Sequence, residues 1–575
     1  MESDEFCKLL IKELISAKAQ TPEDAIKLRA ALCRQYHPNQ MPSFIQILAY
    51  ASNEEYKKLF FLQSKPSRTI AGVSPIAIMA KPMKCPHGKC IMCPGGVDSF
   101  FGNTPQSYTG KEPAARRAMR SNYDPYLQVN NRLEQYTLLN HPIDKSELII
   151  MGGTFPAAEE SYQKEFIAYA LKAMNDFSEM FYNNGNKRNN AGAGFLNLDF
   201  IKFKEFFEIP GNVKDEERVT RIQNKLLALK GMADLKQEQK KNETAKARCV
   251  TMCVETRPDY CKQVHIREML SLGTTRVELG VQSIYSKVLE KIQRGHSVED
   301  TIEATKLMKD SFLKAGYHIM PGLPGSSKKQ DITMFKELFE NPDFKPDTLK
   351  IYPCMVAKGT GIYDEWKAGR FKPITTRDAA EIIAQGKKFV EPYCRIMRVQ
   401  RDIPSKFIEA GVDITNLRQE VDIQLGKNDI KCRCIRCNEP KAKQIDYSKA
   451  KLQRYDYESS GGKEIFLSYN VEKILLGFCR LRIPSNPFMP EIKEKTAGIR
   501  ELHVYAQSAE IGEKPNKMQA QHRGFGTSLM EEAEKIAKEE FGMNHMLVIA
   551  GIGAKEYFRN KLGYKDDGVY VGKIL

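Results

Sequence analysis

The sequence predicts an α/β fold: a partial parallel barrel entered through a helical region and followed by a second, smaller α/β domain. Three observations predict it. Short apolar runs alternate with amphipathic segments from Ser74 to about residue 400, a loop of three cysteines follows the first run, and a fresh alternation begins near residue 460. At 575 residues the chain is too long for one core, which sets two or three domains as the expectation.

Residues 1–72 carry helical periodicity, with Leu9, Leu10, Ile11, Leu14 and Ile15, then Ile45, Ile47, Leu48, Leu59 and Phe60 on recurring faces. Lys and Arg decorate them. The region reads either as an RNA-binding helical domain or as a solvated bundle packed on the next domain.

Residues 73–425 form the barrel unit. Candidate strands are Ile76 to Met79, Leu148 to Met151, Val250 to Val254, Val277 to Leu279, Tyr317 to Met320, Leu349 to Tyr352 and Arg395 to Val399. Helical segments between them are the signature of crossover connections, so a partial TIM-like barrel is expected, with its chemistry at the C-terminal strand ends. Residues 176–247 are polar and lysine-rich and read as a variable insertion rather than core.

Residues 426–459 read as a basic linker. Between 431 and 454 it carries eight Lys or Arg against two acids, around Cys432-x-Cys434-x2-Cys437. Three cysteines this close suit zinc better than a second cluster; the fourth ligand is open, with Cys354 and Cys394 as candidates. Residues 460–575 alternate again: Ile465 to Tyr469, Ile474 to Leu481, Leu502 to Tyr505, a helix from Gly526 to Glu540, and Met546 to Ala550. Gln521, Gly524 and Gly526 sit in QHRGFG, which runs straight into that helix. Glycines there let backbone N–H groups approach a pyrophosphate; the alternative is an ordinary tight turn with a helix cap.

The loop Cys85 to Gly96, CPHGKCIMCPGG, spaces its thiols C-x4-C-x2-C. Three thiolates can hold a [4Fe–4S] cluster and leave one iron open, whereas a zinc knuckle would recruit His87 as a fourth ligand. Both readings stand on spacing alone. Lys and Arg outnumber Asp and Glu by 88 to 72, a net charge of +16 that favours a polyanionic partner. Fourteen cysteines in clusters suit metal ligation in a reducing compartment, so the cytoplasm is expected. No stretch approaches 18 apolar residues and the start lacks a signal pattern, so no membrane association is expected.

The cysteine loop resembles that of radical SAM enzymes, whose usual spacing is C-x3-C-x2-C, and the last segment follows the order of a GNAT acetyltransferase. With QSYTGKEPAARRAMR at 106–120, MGGTFPA at 151–157, ETRPDYC at 255–261, VELGVQSIY at 277–285, RVQRDIP at 398–404, CRCIRC at 432–437 and RELHVYA at 500–506, the chain is similar to the Elongator protein 3 family, the catalytic subunit of Elongator. The resemblance implies carboxymethylation at C5 of the wobble uridine in tRNA. By the family's proposed chemistry, a 5′-deoxyadenosyl radical from S-adenosylmethionine takes hydrogen from the methyl of acetyl-CoA; the resulting radical adds to C5, and thioester hydrolysis leaves the carboxymethyl group.

The resemblance also implies site residues. Cys85, Cys90 and Cys93 bind the cluster; Gly152 and Gly153 receive the methionyl amine, with Thr154 where the family usually has an acid. Glu255, Glu278 and Gln282 suit ribose or amine contacts, or else barrel salt bridges. Lys145 matches a lysine associated with acetyl-CoA. In the last domain Glu501, Leu502, His503 and Val504 resemble the pantetheine strand, and Gln521, Gly524, Phe525, Gly526 and Thr527 the pyrophosphate turn. Tyr557 and Phe558 occupy the family's paired tyrosines, the second lacking its hydroxyl, so Tyr557 and His503 are the catalytic candidates. For tRNA the candidates are Arg116, Arg117, Arg120, Lys431, Arg433 and Arg436. The cofactors implied are the cluster, S-adenosylmethionine, acetyl-CoA and zinc. The electron-donating protein is unassigned, and the resemblance leaves room for a homodimer and other Elongator-like subunits. Two other functions remain open: a protein lysine acetyltransferase with a structural iron–sulfur domain, and a non-catalytic tRNA-binding assembly subunit.

Overall fold

A computed structural model describes residues 3–59, 61–62, 64, 69, 72–182, 198–211, 215–440, 445–505 and 524–575. The helices Ser3–Ser16, Pro22–Tyr36, Phe44–Ala49 and Asn53–Lys58 open the chain. Local sequence sets their starts: Thr21 accepts from the Asp24 amide ahead of a first-turn proline, and Ser43 and Ser52 form capping boxes with Gln46 and Glu55. Phe6, Leu10, Leu14, Ile47 and Tyr56 are buried, and Tyr56 donates to the Thr137 carbonyl at 3.0 Å, which docks the helices on the barrel.

Seven parallel strands make the first sheet: β1 (Ser74–Met79), β4 (Lys145–Met151), β5 (Arg248–Thr256), β6 (Arg276–Gln282), β7 (Lys314–Ile319), β8 (Thr348–Ile351) and β9 (Arg395–Arg398), in that spatial order. A sequential order with helical crossovers is the open half-barrel that the spacing of apolar runs predicts. Between β1 and β4 lies a short hairpin, β2 (Gly96–Ser99) with β3 (Gly102–Thr104), which the apolar pattern does not announce.

Two expectations need correction. The described part of 176–247 is not a loose insertion. Its segments form the end of the helix Glu160–Phe181 and the helices Phe200–Phe206, Glu216–Lys230 and Leu235–Asn242. Phe177, Phe181, Phe200, Phe203 and Phe207 are buried, Tyr56 stacks on Phe200 at 3.9 Å, and Asn175 donates to Glu238 at 2.8 Å. Lysines on the outer faces conceal this inner phenylalanine cluster from a composition reading. The polar run at 183–197 lies outside the described residues.

The second correction concerns the linker. Its last stretch is β10 (Lys451–Ser459), paired antiparallel with β11 (Gly462–Val471), so the C-terminal sheet begins before 460. β10 is an edge strand whose residues are mostly exposed, and a charged edge strand reads as linker. The sheet continues through β12 (Ile474–Ile483), β13 (Thr496–Val504), β14 (His545–Val548), β16 (Tyr570–Ile574) and β15 (Lys565–Asp567). β13 and β14 run parallel, but their ladder ends at the pair Ile499 and Val548, while β13 continues to Val504 against β12 alone. The strands part there, and the helix Phe525–Glu539 packs over β11, β12 and β13.

Candidate active site

The cysteine loop and the C-terminal ends of the barrel strands line one pocket. Its walls include Cys85, Cys90, Cys93, Gly153, Thr154, Glu255, Glu278, Gln282, His318, Tyr352, Arg398 and Arg401. The imidazole of His87 lies between two thiols, Nδ1 at 3.0 Å from Cys85 and Nε2 at 3.1 Å from Cys90. Gln106 donates to the Cys93 sulfur at 3.1 Å. Burial first, then the nearby Arg257 and Arg294 guanidinium groups, hold His87 down at about 4 and therefore neutral at pH 7. Gly152 and Gly153 both have positive φ, at 117° and 93°, and a Cβ on Gly153 would lie 2.9 Å from that of Gln106.

The pocket floor is a network of charge. Lys350 donates to Glu255 Oε1 at 2.7 Å and pairs with Glu278 Oε2, which also meets His318 Nε2 at 3.0 Å. Tyr108 donates to the other Glu255 oxygen at 2.9 Å. Burial, the largest single influence, works to raise both carboxyls, but Lys350 together with His318 at Glu255 and with Arg276 and His318 at Glu278 reverses it; Glu255 is lowered and Glu278 lowered well below the carboxylate range. Glu255, Glu278 and His318 could converge on a metal ion, yet the Lys350 ammonium already supplies the cation both carboxylates need. Glu278 Oε1 lies 3.3 Å from Arg276, and among the described residues Gln282 Oε1 and Thr256 Oγ1 are buried without a hydrogen-bond partner; Gln282 sits at a φ of 65°. Open buried acceptors and a strained strand end mark a ligand site.

At the opposite ends of the strands lies the second set. Glu501 receives Lys314 at 3.0 Å and Arg480 at 2.8 Å. His503 stacks on Phe478 at 5.7 Å and lies beside Tyr505 at 4.5 Å; its Nε2 is buried without a partner. Burial holds it at about 4, against the pull of Glu501, with the charges of Arg395, Lys314 and Lys145 adding to the effect. Lys145, the first residue of β4, is thus brought electrostatically within reach of His503. Gly524 caps the helix that opens with Phe525, Gly526 and Thr527; Phe525 stacks on Tyr469 at 4.6 Å, and Tyr557 is hydrogen-bonded to Thr527. Phe558 points the other way, into the core beside Tyr564, because alternate faces of its short helix meet groove and core. That burial turns it away from any ligand at the groove. Gln521 lies outside the described residues.

Cys432, Cys434 and Cys437 bring their sulfurs within 4.8 Å of one another. The side chain of Lys387 is fully buried, and its charge acts on all three thiols. Of the two further cysteines, Cys394 is near enough for Cys434 to help burial raise its thiol, whereas Cys354 packs with Cys90 and Cys93. Arg116, Arg120 and Lys431 are exposed; Arg117 is half-buried; Arg433 and Arg436 are engaged by Glu391 and Glu439, each at 2.8 Å or less.

Comparison with known proteins bears on both sets. The ELP3 N-terminal domain family matches residues 3–70, the Radical SAM superfamily 218–338 and the Radical_SAM C-terminal domain 346–426. The chain is 49% identical over 543 residues to the tRNA uridine(34) acetyltransferase of Methanocaldococcus infernus, covering 93% of this chain and 92% of that protein. It is 38% identical over 582 residues to human Elongator complex protein 3, covering 98% and 96%. This chain belongs to the Elongator protein 3 family. A solved structure, the archaeal Methanocaldococcus infernus Elp3 with an N-terminal deletion, superposes with a TM-score of 0.69 at 43% identity, over 88% of this chain and all of that one.

Membership with a radical SAM domain implies S-adenosylmethionine and a [4Fe–4S] cluster, and the residues fit them: three thiols, a glycine-lined approach and unpaired acceptors converge on one pocket. Sequence reading of this Elongator protein 3 relative missed Lys350, His318 and Tyr108. Lys350 and His318 are lone polar residues inside apolar runs and Tyr108 lies in the stretch after the cysteine loop, and only the curvature of the sheet brings them together. The one signal was a charged residue inside the apolar run Leu349 to Tyr352.

Proposed function

We propose that this protein modifies the wobble uridine of tRNA, installing a carboxymethyl group at C5 with acetyl-CoA as the carbon donor. What carries the reading is the joining of two incomplete sites by one barrel: a thiol pocket at one end of its strands and, at the other, a parted sheet with an unpaired histidine. The relative named tRNA uridine(34) acetyltransferase supports action at that uridine, and the carboxymethyl product is our own step beyond the name. Cys85, Cys90 and Cys93 would hold the cluster, which when bound would supply reductive radical chemistry with S-adenosylmethionine.

The chain's own residues bind and orient. Gly152, Gly153, Glu255, Glu278 and Gln282 present backbone and acceptors to the amine and ribose of the cofactor, with Lys350 keeping the carboxylates charged. Glu501 to Val504 offer the strand edge left open where β13 and β14 part, and Gly524, Phe525, Gly526 and Thr527 offer a helix N-terminus to the pyrophosphate. Lys145 adds positive charge. His503, neutral at pH 7, can take a proton from water during thioester hydrolysis, and Tyr557 can donate a hydrogen bond to the thioester; Phe558 takes no part. Cys432, Cys434 and Cys437 would hold zinc as a structural staple between barrel and C-terminal sheet, with Lys387 balancing thiolate charge. Exposed Arg116, Arg120 and Lys431 would meet phosphates, making binding salt-sensitive.

Anaerobic reconstitution with dithionite, S-adenosylmethionine, acetyl-CoA and unmodified tRNA tests the proposal by mass spectrometry of digested nucleosides. The expected product is 5-carboxymethyluridine, lost in Cys90→Ala and without acetyl-CoA. Absence of product with a verified cluster and bound tRNA would overturn stand-alone carboxymethylation. Acetylation of lysine without S-adenosylmethionine would instead favour a protein acetyltransferase.

A further inference from the structure

The hairpin of β2 and β3 is held between two residues that line the thiol pocket, Pro94 before it and Gln106 after it, and carries an exposed tip. Phe100 is 62% exposed, among the most exposed of the large apolar side chains, yet it is held in place. Its stem lies against Gly359, where a Cβ would come within 2.2 Å of the Phe100 Cβ; the positive φ of 71° at Gly359 also requires glycine. The hairpin is locked by Ser99 Oγ donating to the Gly102 carbonyl at 2.6 Å and by the Asp98 amide donating to Asn103 at 3.0 Å. An aromatic ring presented to solvent by a braced hairpin is not explained by folding.

The ring continues into a row. Phe100 meets Phe101 edge-on at 5.2 Å, and Phe101 meets Phe407 edge-on at 6.0 Å. Two ammonium groups lie over Phe407, Lys406 at 5.1 Å and Lys111 at 5.8 Å. Lys406 is exposed, and Arg401, on the same connection as Phe407, reaches back to the Ser107 carbonyl and lines the pocket itself. The row therefore runs from open solvent to the pocket wall, with positive charge along one side.

From this geometry we infer that Phe100, Phe101 and Phe407 form a stacking platform for the anticodon-loop nucleotide next to the target uridine, with Lys406, Lys111 and Arg401 holding its phosphates. The inference rests on the proposed action on tRNA. A base that must enter a pocket lined by Glu255 and Gln282 leaves its stack, and its neighbour then exposes a face that water solvates poorly. An exposed ring flanked by cations offers that face a partner, and stacking is tolerant of base identity. Such a platform selects for an unstacked loop rather than for a sequence.

The test is a double-mutant cycle with a 17-nucleotide-scale anticodon stem-loop as probe, its length set at roughly five stem pairs and a loop so that only the loop reaches the platform. Affinity is measured for wild type, Phe100→Ala and Phe100→Trp, each with intact RNA and with RNA made abasic on one or the other side of the wobble uridine. Expected is a loss of about 10- to 100-fold in Phe100→Ala, recovered in Phe100→Trp, with little further loss when the stacked base is absent. If both abasic RNAs lose as much affinity in Phe100→Ala as in wild type, or if Phe100→Ala binds intact RNA normally, the platform is overturned while action on tRNA stands. If wild type binds no stem-loop and no tRNA, the underlying reading falls and the platform with it. A melting temperature equal to wild type in both variants excludes unfolding as the cause; a lowered one in Phe100→Ala alone overturns the view that the ring is held for binding rather than for folding.

Discussion

Two clusters of buried charge lie at opposite ends of the barrel strands, and they differ in how fully their atoms are paired. At the N-terminal ends, where the C-terminal sheet docks, Arg500 grips both oxygens of Asp347 at 2.6 and 2.8 Å and donates to the Leu313 carbonyl at 2.7 Å. Arg482 meets Asp310 at 2.5 Å, Glu464 at 3.1 Å and the Ser459 carbonyl at 2.9 Å. At the C-terminal ends, around Lys350, Glu278 Oε1 keeps only a 3.3 Å ion pair with Arg276, and Gln282 Oε1 and Thr256 Oγ1 have no hydrogen bond among the described residues. In the joint the looser atom is Arg480 Nη1, 3.5 Å from Asp347, a charge already facing its counter-charge; at the pocket the open atoms are neutral acceptors with nothing opposite them, which suits a ligand. The barrel thus gives its C-terminal strand ends to the thiol pocket, where its architecture favours chemistry, and its N-terminal ends to the joint that carries the C-terminal sheet and the proposed His503 site.

Breaking the joint has the largest expected effect. Asp347→Ala strips Arg500 of a bidentate partner, Arg480 of an anion at 3.5 Å and the Ala315 amide of an acceptor at 2.8 Å, all in a fully buried setting. Removing one side of such a network costs about 3–5 kcal/mol, because the remaining charges stay buried and uncompensated. Urea unfolding measures it. A loss under about 1 kcal/mol would show that the two domains are held by their apolar contacts instead.

Breaking the pocket floor is smaller and has a different signature. Lys350→Met leaves Glu255 and Glu278 facing each other with His318, and the folded variant relieves the repulsion by binding a proton. In wild type the two carboxyls are lowered, so their stabilisation is present above the ordinary value of 4.5 and is lost as pH falls through the folded values. In the variant the proton-binding group is raised, so stability is present at low pH and lost as pH rises through that raised value. The gap between the two proteins therefore widens with pH above 4.5, by about 1.4 kcal/mol per unit until the variant's proton is lost, for a total of about 2–3 kcal/mol. A gap independent of pH would mean that Lys350 acts by packing alone.

The same contrast explains what the sequence makes legible. Strand runs and the cysteine loop are local: Ile76 to Met79 and the C-x4-C-x2-C spacing each lie within one stretch, and both are where they were expected. The two networks are not local. Arg482 and Asp310 are 172 residues apart, and Lys350 and Glu255 are 95 apart, so neither pair leaves a pattern along the chain. A buried arginine on an amphipathic strand reads as a surface residue, just as β10 reads as linker and the phenylalanine helices at 200–230 as insertion. Glu255 and Glu278 were legible as polar groups at predicted strand ends, whereas His503 came from family likeness, which carries spatial information that periodicity lacks.

His503, at the joint end of the strands, tests the exception there, since its Nε2 has no partner among the described residues. Its folded value of about 4 lies below the ordinary 6.5, so its contribution is present above pH 6.5 and is lost as pH falls toward 4. Allowing for its partial exposure, about 2 kcal/mol of stability is lost over that interval, and His503→Gln, which binds no proton, flattens the wild-type slope by about one proton. Denaturation curves at several pH values between 4 and 7 check it. An unchanged slope in the variant would place the proton uptake elsewhere, with His87, held at about 4, and the buried His296, held at about 2 by burial and then by Arg294 and Arg257, as further neutral imidazoles.

The smallest expected effect separates two neighbours on one helix. Phe558 is 5% exposed within the core that contains Met530, Ala533 and Tyr564, and the Tyr564 hydroxyl already takes the nearby acceptor, Glu534, at 2.8 Å. Phe558→Tyr therefore adds a buried hydroxyl with no partner assigned to it, at a cost of about 1–2 kcal/mol, and brings no gain in acetyl-CoA hydrolysis. Tyr557, 37% exposed and bonded to Thr527, sits on the groove side; Tyr557→Phe changes stability by less than about 1 kcal/mol but slows thioester hydrolysis. Melting curves and release of free CoA, followed with a thiol reagent, read both variants. If Phe558→Tyr proves neutral in stability and speeds CoA release, the second ring faces the groove in the working enzyme, and the line between joint and site passes one residue further along the chain.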